Sequence, residues 1–329
     1  MAKSIGIDLG TANILINVKG EGIVVNEPSV VAVNTQTDQV VAVGTEAYKM
    51  VGRTPGNIKA IRPLKDGVIA DFNITEKMLK YFIEKTNVKT IFSRPRIMIC
   101  CPTNITSIEQ KSIIEAAEQT GSKDVYLELE PKVAAVGAGM DIFKPQGNMV
   151  IDIGGGTSDI AILSMGDIAA SKSIRLAGDK MNVAIQNYVK LHRNIIIGER
   201  TAEDVKKQIG TAFEPNPDNT MTIRGRDVQT GLPVSVTISE VDVQHALNDI
   251  FYTIIDGAKT VLEQAQPELS ADIIDHGIML TGGGSLVTGV DKLFARELQV
   301  PVIIAESPLD TVALGTGILL DHIENHEQY

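Results

Sequence analysis

Cysteine is scarce in this chain. Only Cys100 and Cys101 occur, side by side in the apolar run Ile97-Met98-Ile99-Cys100-Cys101-Pro102. Neighbours in a strand point to opposite faces, so no structural disulfide joins them and a reducing cytoplasm is the expected setting. Positive charge is also short, with a net charge of -11. That argues against nucleic acid as the main partner, because neutralising phosphates needs clustered Lys and Arg. It argues equally against broad adsorption to an anionic membrane. No apolar run approaches the ~20 residues of a membrane span. The first apolar stretch reads as part of a hairpin, so no signal peptide is expected.

Common signatures are missing too. There is no Gly-Lys-[Ser/Thr] P-loop, which excludes the common NTPase class. The glycine turns do not follow the strand–GxGxxG–helix order of a dinucleotide fold. His192, His245, His276, His322 and His326 show no metal spacing.

What remains is an ordinary globular composition, 43% hydrophobic over 329 residues, enough for about two domains. The chain is organised around Ile151-Asp152-Ile153-Gly154-Gly155-Gly156-Thr157-Ser158-Asp159-Ile160-Ala161-Ile162. A weaker echo stands at Ile5-Gly6-Ile7-Asp8-Leu9-Gly10-Thr11-Ala12-Asn13-Ile14-Leu15-Ile16. Alternating β-branched residues around a glycine tip read as a β-hairpin. Glycines let backbone N–H groups crowd a phosphate, and Thr adds a side-chain donor. An Asp beside phosphates requires a cation between them, usually Mg2+ with its water shell. Singly, each Asp is more often a turn residue satisfying its own backbone. As a matched pair they predict two phosphate clamps facing each other across a cleft. Asp8 and Asp152 then hold Mg2+ through water, with Gly10, Thr11, Ala12 and Asn13 on one side and Gly154, Gly155, Gly156 and Thr157 on the other.

Elsewhere the periodicity predicts helices capped at Asn73, at Thr106 with Glu109, and at Ser239 or Asp242. A small-residue helix follows Pro131 and leaves Glu130 at its N-cap. Residues 34–65 and 214–240 turn polar and Gly- or Pro-punctuated, or strand-like, and read as insertions. Each half is thus a hairpin-led sheet with flanking helices and one small insertion, an internal duplication with a ligand expected between the halves.

Several residues carry two readings. Gly282-Gly283-Gly284-Ser285 is either a plain strand-to-helix turn or a flat surface for a ribose or base. Glu203 and Lys206 share a helix face, where pattern alone favours a solvated ion pair. Glu130 is a simple cap by pattern, or a carboxylate that polarises an attacking water with Thr157 as second anchor. Ile91-Phe92, followed by Ser93-Arg94-Pro95-Arg96, is by default a buried staple, and otherwise an apolar tip for a lipid interface.

Taken together, the paired hairpins, Glu130-Pro131-Lys132-Val133-Ala134-Ala135 and Leu280 to Ser285 resemble the actin, Hsp70 and sugar-kinase superfamily. Within it the chain is similar, over essentially its whole length, to the MreB/Mbl family of bacterial actin homologues. Asn26-Glu27-Pro28-Ser29-Val30-Val31, Arg62 to Asp71 and Ile197-Gly198-Glu199-Arg200-Thr201 carry that narrower likeness. The resemblance implies an α/β, actin-like (ribonuclease H-like) duplicated fold with nucleotide in the cleft between two lobes. It implies core subdomains at 1–32 with 66–142 and at 143–178 with 242–311, the helix 312–329 packing back on the first. The inserted subdomains are then 33–65 and 179–241. An ATP-binding protein follows, polymerising into antiparallel double filaments on the inner membrane face, guiding cell-wall elongation and hydrolysing ATP slowly. Matched positions put Thr11 to Asn13 and Gly154 to Gly156 on phosphate, Glu203 and Lys206 near the adenosine, and Gly282 to Ser285 at the nucleotide. Glu130 and Thr157 match a water-positioning pair, and Ile91-Phe92 a membrane-insertion loop. Many relatives carry an acidic residue where Leu129 stands. No amphipathic helix precedes Ser4, so attachment is expected to rest on the Ile91-Phe92 loop. The alternatives are a sugar-type kinase, for which no spare general base is apparent, and a chaperone ATPase, which needs a client domain not expected after Tyr329.

Overall fold

Both halves of the chain build a five-stranded sheet on one plan, in a computed structural model that describes residues 4–86, 88, 95–103, 105–122 and 124–326. In the first sheet the spatial order is Val125–Leu129, Ile97–Cys101, Ile5–Leu9, Asn13–Val18, Gly22–Pro28. In the second it is Val302–Ile304, Ile278–Thr281, Asn148–Ile153, Ser158–Ser164, Asp167–Ile174. Each starts with a three-strand antiparallel meander, and two later strands add in parallel beside its first strand. The hairpin reading therefore holds for both glycine tips, with Asp8 opposite Leu15 and Asp152 opposite Asp159.

Strand alternation separates the two thiols as expected: Cys101 packs into the core of the first half, Cys100 into the layer between the halves. The Thr106/Glu109 and Ser239/Asp242 capping boxes are both formed. Two other caps differ from the sequence reading. Asp71, not Asn73, caps Phe72–Lys85, its carboxylate accepting from Ile74 N. Glu130 is not an N-cap: Leu129 is, and Glu130 and Pro131 open the helix Glu130–Gly137. Proline is tolerated there because the first-turn N–H groups have no intrahelical acceptor.

The helices Glu130–Gly137 and Thr311–His326 lie between the sheets and touch at glycines. A methyl on Gly137 would sit 1.8 Å from Thr311 O, and one on Gly315 2.0 Å from Val133 O. Neither site has room, so we predict that Gly315→Ala costs about 1–3 kcal/mol by overpacking. Thermal melting reads this, and an unchanged melting temperature would show that the two helices do not meet there.

Each of the two insertions packs into the core of its own half. Val40–Val43, Val31–Asn34 and Ile58–Ile61 form a three-stranded sheet with the helix Thr45–Met50. Val30, Ala32 and Ala47 are buried within it, while Val31 and Val33 join the core of the first half. The sheet of Ile195–Ile196, Thr220–Asp227 and Pro233–Ser239 likewise sends Ile195, Ile223 and Ile238 into the large core of the second half.

Candidate nucleotide and phosphate cleft

Parallel strands point the same way, and their carboxyl ends collect the chemistry. The strand Ile5–Leu9 carries Asp8 and delivers Gly10; Val125–Leu129 runs directly into Glu130. Across the gap Asn148–Ile153 carries Asp152 and delivers Gly154, and Ile278–Thr281 delivers Gly282. A cavity of about 620 Å³ opens between these ends. Asp8, Gly10 to Asn13, Glu130, Asp152, Gly154 to Thr157, Glu203, Lys206 and Gly282 to Gly284 all line it. Ser285 does not: it is fully buried and its hydroxyl donates to Gly282 O, holding the loop from behind. Ile91 and Phe92 lie outside the described residues.

The two hairpin tips meet. A methyl on Gly155 would sit 2.7 Å from Ala12 Cβ, and one on Gly156 2.5 Å from Thr11 Oγ1. Carbonyl oxygens near an anion would repel it, and here several are engaged elsewhere. Ser29 N and Oγ donate to Ala12 O and Gly10 O, Gly178 N and Asp179 N to Gly154 O and Gly155 O, and Gly154 N to Thr157 O. The third loop closes on the second, since a side chain on Gly282 would stand 2.2 Å from Asp152 Oδ1; its φ of +77° also favours glycine.

Burial sets the electrostatics. Asp8 is pushed up to about 7 by loss of solvent. Asp152 rises to about 8, through burial first and then the charges of Asp8 and Asp159. Its Oδ1 is buried with no hydrogen-bond partner. Two crowded carboxylates and an orphaned oxygen form a donor set suited to a hard divalent cation such as Mg2+. Among the described residues no group of three or more His, Cys, Asp or Glu is placed to cage a metal.

Both carboxyls bind protons more tightly folded than unfolded. The stability they contribute is complete below about pH 4 and is lost as pH rises through their folded values near 7 and 8. We predict that metal-free protein melts at progressively lower temperature from about pH 6 to pH 8, and that Asp152→Asn flattens this slope. An equally steep slope in the variant would remove Asp152 from the account.

Glu203 and Lys206 do not form the solvated pair that pattern favoured. Glu203 accepts from Lys207 Nζ at 2.6 Å and from the Tyr48 hydroxyl at 2.5 Å. These bonds hold its carboxyl below its ordinary value, against the burial that works to raise it. Lys206 is pulled down to about 8 by burial, with Glu203 and Asp179 opposing, and its Nζ donates to Gly178 O. Tyr48, Arg62, Asp179, Asn182, Leu286 and Leu309 also line the cavity. Sequence reasoning missed them as site residues because they stand in the insertions, at a helix start and in loops, outside any glycine-acid pattern.

Against known proteins, residues 2–328 match the family model described as MreB/Mbl protein. The chain is 61% identical over 323 residues to the cell shape-determining protein Mbl of Bacillus subtilis (strain 168), covering 98% of this chain and 97% of that one. It is 44% identical over 330 residues to the cell shape-determining protein MreB of Escherichia coli (strain K12), covering 99% and 95%. Among solved structures it superposes on MreB5 of Spiroplasma citri bound to ADP with a TM-score of 0.95, at 40% identity over 100% of this chain and 99% of that one. The double helical filament of MamK matches with a TM-score of 0.80 at 20% identity, over 97% and 98% of the two chains, a likeness of fold alone.

Proposed function

Because the chain belongs to the MreB/Mbl family, we propose that it is an actin-like protein that determines cell shape by assembling into filaments, with ATP in the cleft between its halves. One observation carries the nucleotide part: equivalent glycine tips from two equivalent sheets line one cavity with a third glycine loop and two crowded aspartates. The α/β fold is the duplicated, actin-like one expected from the sequence. The solved relative MreB5 is bound to ADP in one crystal and AMPPNP in another, which supports a nucleotide here.

In this reading Thr11 to Asn13 and Gly154 to Gly156 take the phosphates, and Glu203 and Lys206 face the adenosine. Asp8 and Asp152 hold the water shell of Mg2+, whose charge would separate them from the phosphates. Glu130 and Thr157 orient the water for a slow hydrolysis. The core subdomains 1–32 with 66–142 and 143–178 with 242–311 close on the nucleotide, which changes the surface each subunit offers its neighbours. The filaments are antiparallel pairs on the inner face of the cytoplasmic membrane, working with the cell-wall elongation machinery. No described helix is long and apolar enough to cross a membrane, so attachment would be peripheral.

Sedimentation tests the assembly. With ATP and Mg2+ the protein should pellet as filaments visible by electron microscopy, and at higher yield with anionic liposomes. A chain that stays monomeric at high concentration with ATP would overturn this function. The small-molecule kinase reading finds no counterpart among the relatives named above; ATP turnover that rises with an added sugar, without assembly, would revive it.

A further inference from the structure

The cleft is bridged at its mouth by side chains outside the glycine loops. Tyr48, on the helix of the first insertion, donates its hydroxyl to Glu203 Oε2 at 2.5 Å from the opposite side. Arg62, next to the strand Ile58–Ile61, donates from Nε and Nη2 to Glu199 Oε1 at 3.2 and 2.6 Å. The Arg200 guanidinium lies 5.2 Å from the centroid of the Tyr48 ring, within cation–π range. Tyr48, Arg62 and Glu203 line the cavity wall, so a molecule leaving between the insertions passes these bonds.

Each side is packed into the core of its own half. Glu199, Arg200 and Glu203 ride on the helix Glu199–Ile209, which is pinned into the large core by Ala202, Val205 and Ile209. The first insertion has a small core of its own in Val30, Ala32 and Ala47 and joins the core of the first half through Val31 and Val33, and neither of these buried clusters includes a residue of the second half. Charge-assisted bonds are the strong class of hydrogen bond, and it is such bonds that tie the insertion to the facing helix. Burial works against the charge on Arg62, yet Asp179 and then Glu199 hold that charge on.

We propose that Tyr48 and Arg62 form a latch that fixes the first insertion across the cleft mouth and sets the rate at which nucleotide enters and leaves. The proposal rests on the nucleotide reading of the cavity. Glu203 keeps Lys207 when Tyr48 lets go, so the latch opens without stranding a buried charge. A gate of this kind speeds or slows both directions of exchange together. A side chain that merely touched the nucleotide would alter departure alone.

The test uses the full chain with Mg2+ and methylanthraniloyl-ADP as the fluorescent probe, with association and dissociation followed by stopped flow. Tyr48→Phe and Glu199→Gln approach the latch from opposite sides. Each should raise both rates about tenfold, the double variant should raise them further, and the equilibrium constant should stay within about threefold. High salt should speed exchange in the wild type and much less in the double variant. Faster dissociation with proportionally weaker binding would make Tyr48 a ligand contact and overturn the latch. Wild-type rates in both single variants would overturn it as well, while normal probe binding left the cavity reading standing. A wild-type chain that failed to bind the probe would sink both. Melting curves guard against a folding defect, and either single variant suffices if the other does not fold.

Discussion

Glu130→Gln should lower ATP turnover at least about a hundredfold while leaving nucleotide affinity within about threefold. Glu130 begins its helix at the carboxyl end of a parallel strand, so the backbone aims it at the cavity it lines. Its carboxyl is raised well above the ordinary range by burial first, then by the charges of Asp159, Asp8 and Asp152. A carboxylate that binds its proton this strongly is a better base once ionised. Neutralising Asp8 and Asp152 would remove two of the three anionic neighbours that keep it protonated. Glutamine has nearly the same shape and can still hydrogen-bond a water, but it cannot accept the proton. Affinity should survive because the proposed phosphate-facing groups are the glycine loops and Thr11, not Glu130. Phosphate release in a single turnover, set beside a fluorescent-nucleotide titration, separates the two quantities. Wild-type turnover in the glutamine variant would take Glu130 away from the reacting water.

The contrast between Glu130 and Tyr48 shows where sequence reading reached and where it stopped. Asp8 and Asp152 stand at strand ends within short motifs, so local pattern plus the duplication was enough to place them on one cleft, whereas pattern made Glu130 a simple cap and only the family resemblance put it at the site. The equivalence of the sheets was legible for the same reason: alternation around a glycine tip is local, and it occurs twice. Tyr48 and Arg62 meet partners 155 and 137 residues away, and nothing in a polar insertion announces which side chain will cross a gap. The cap at Glu130 was misread by one residue because proline suits either of the first two helical positions. Glu203 and Lys206 fell on one helix face as spacing demanded, yet each found a different partner, since burial and Lys207 decided the pairing.

The same duplication yields a steric prediction at the point where the halves touch. Gly155→Val should weaken nucleotide binding at least about a hundredfold, and Gly155→Ala about tenfold, the loss growing with the volume forced between the tips. Neither Gly155 nor its neighbours in the loop adopts a left-handed φ, so turn conformation does not demand glycine there. Close approach does: the added carbon would stand 2.7 Å from Ala12 Cβ and 2.9 Å from Ala12 N. Since one of those atoms is backbone, no rotamer change relieves the clash, and the two phosphate loops must separate. Removing the facing methyl with Ala12→Gly takes away the nearer contact but leaves the amide. In the Gly155→Ala background it should therefore recover part of the lost affinity, giving a favourable coupling in a double-mutant cycle. Isothermal titration with ATP and Mg2+ reads all four proteins. Strict additivity would mean that the tips do not face each other in solution, and the opposed-clamp geometry on which the nucleotide assignment depends would have to be abandoned.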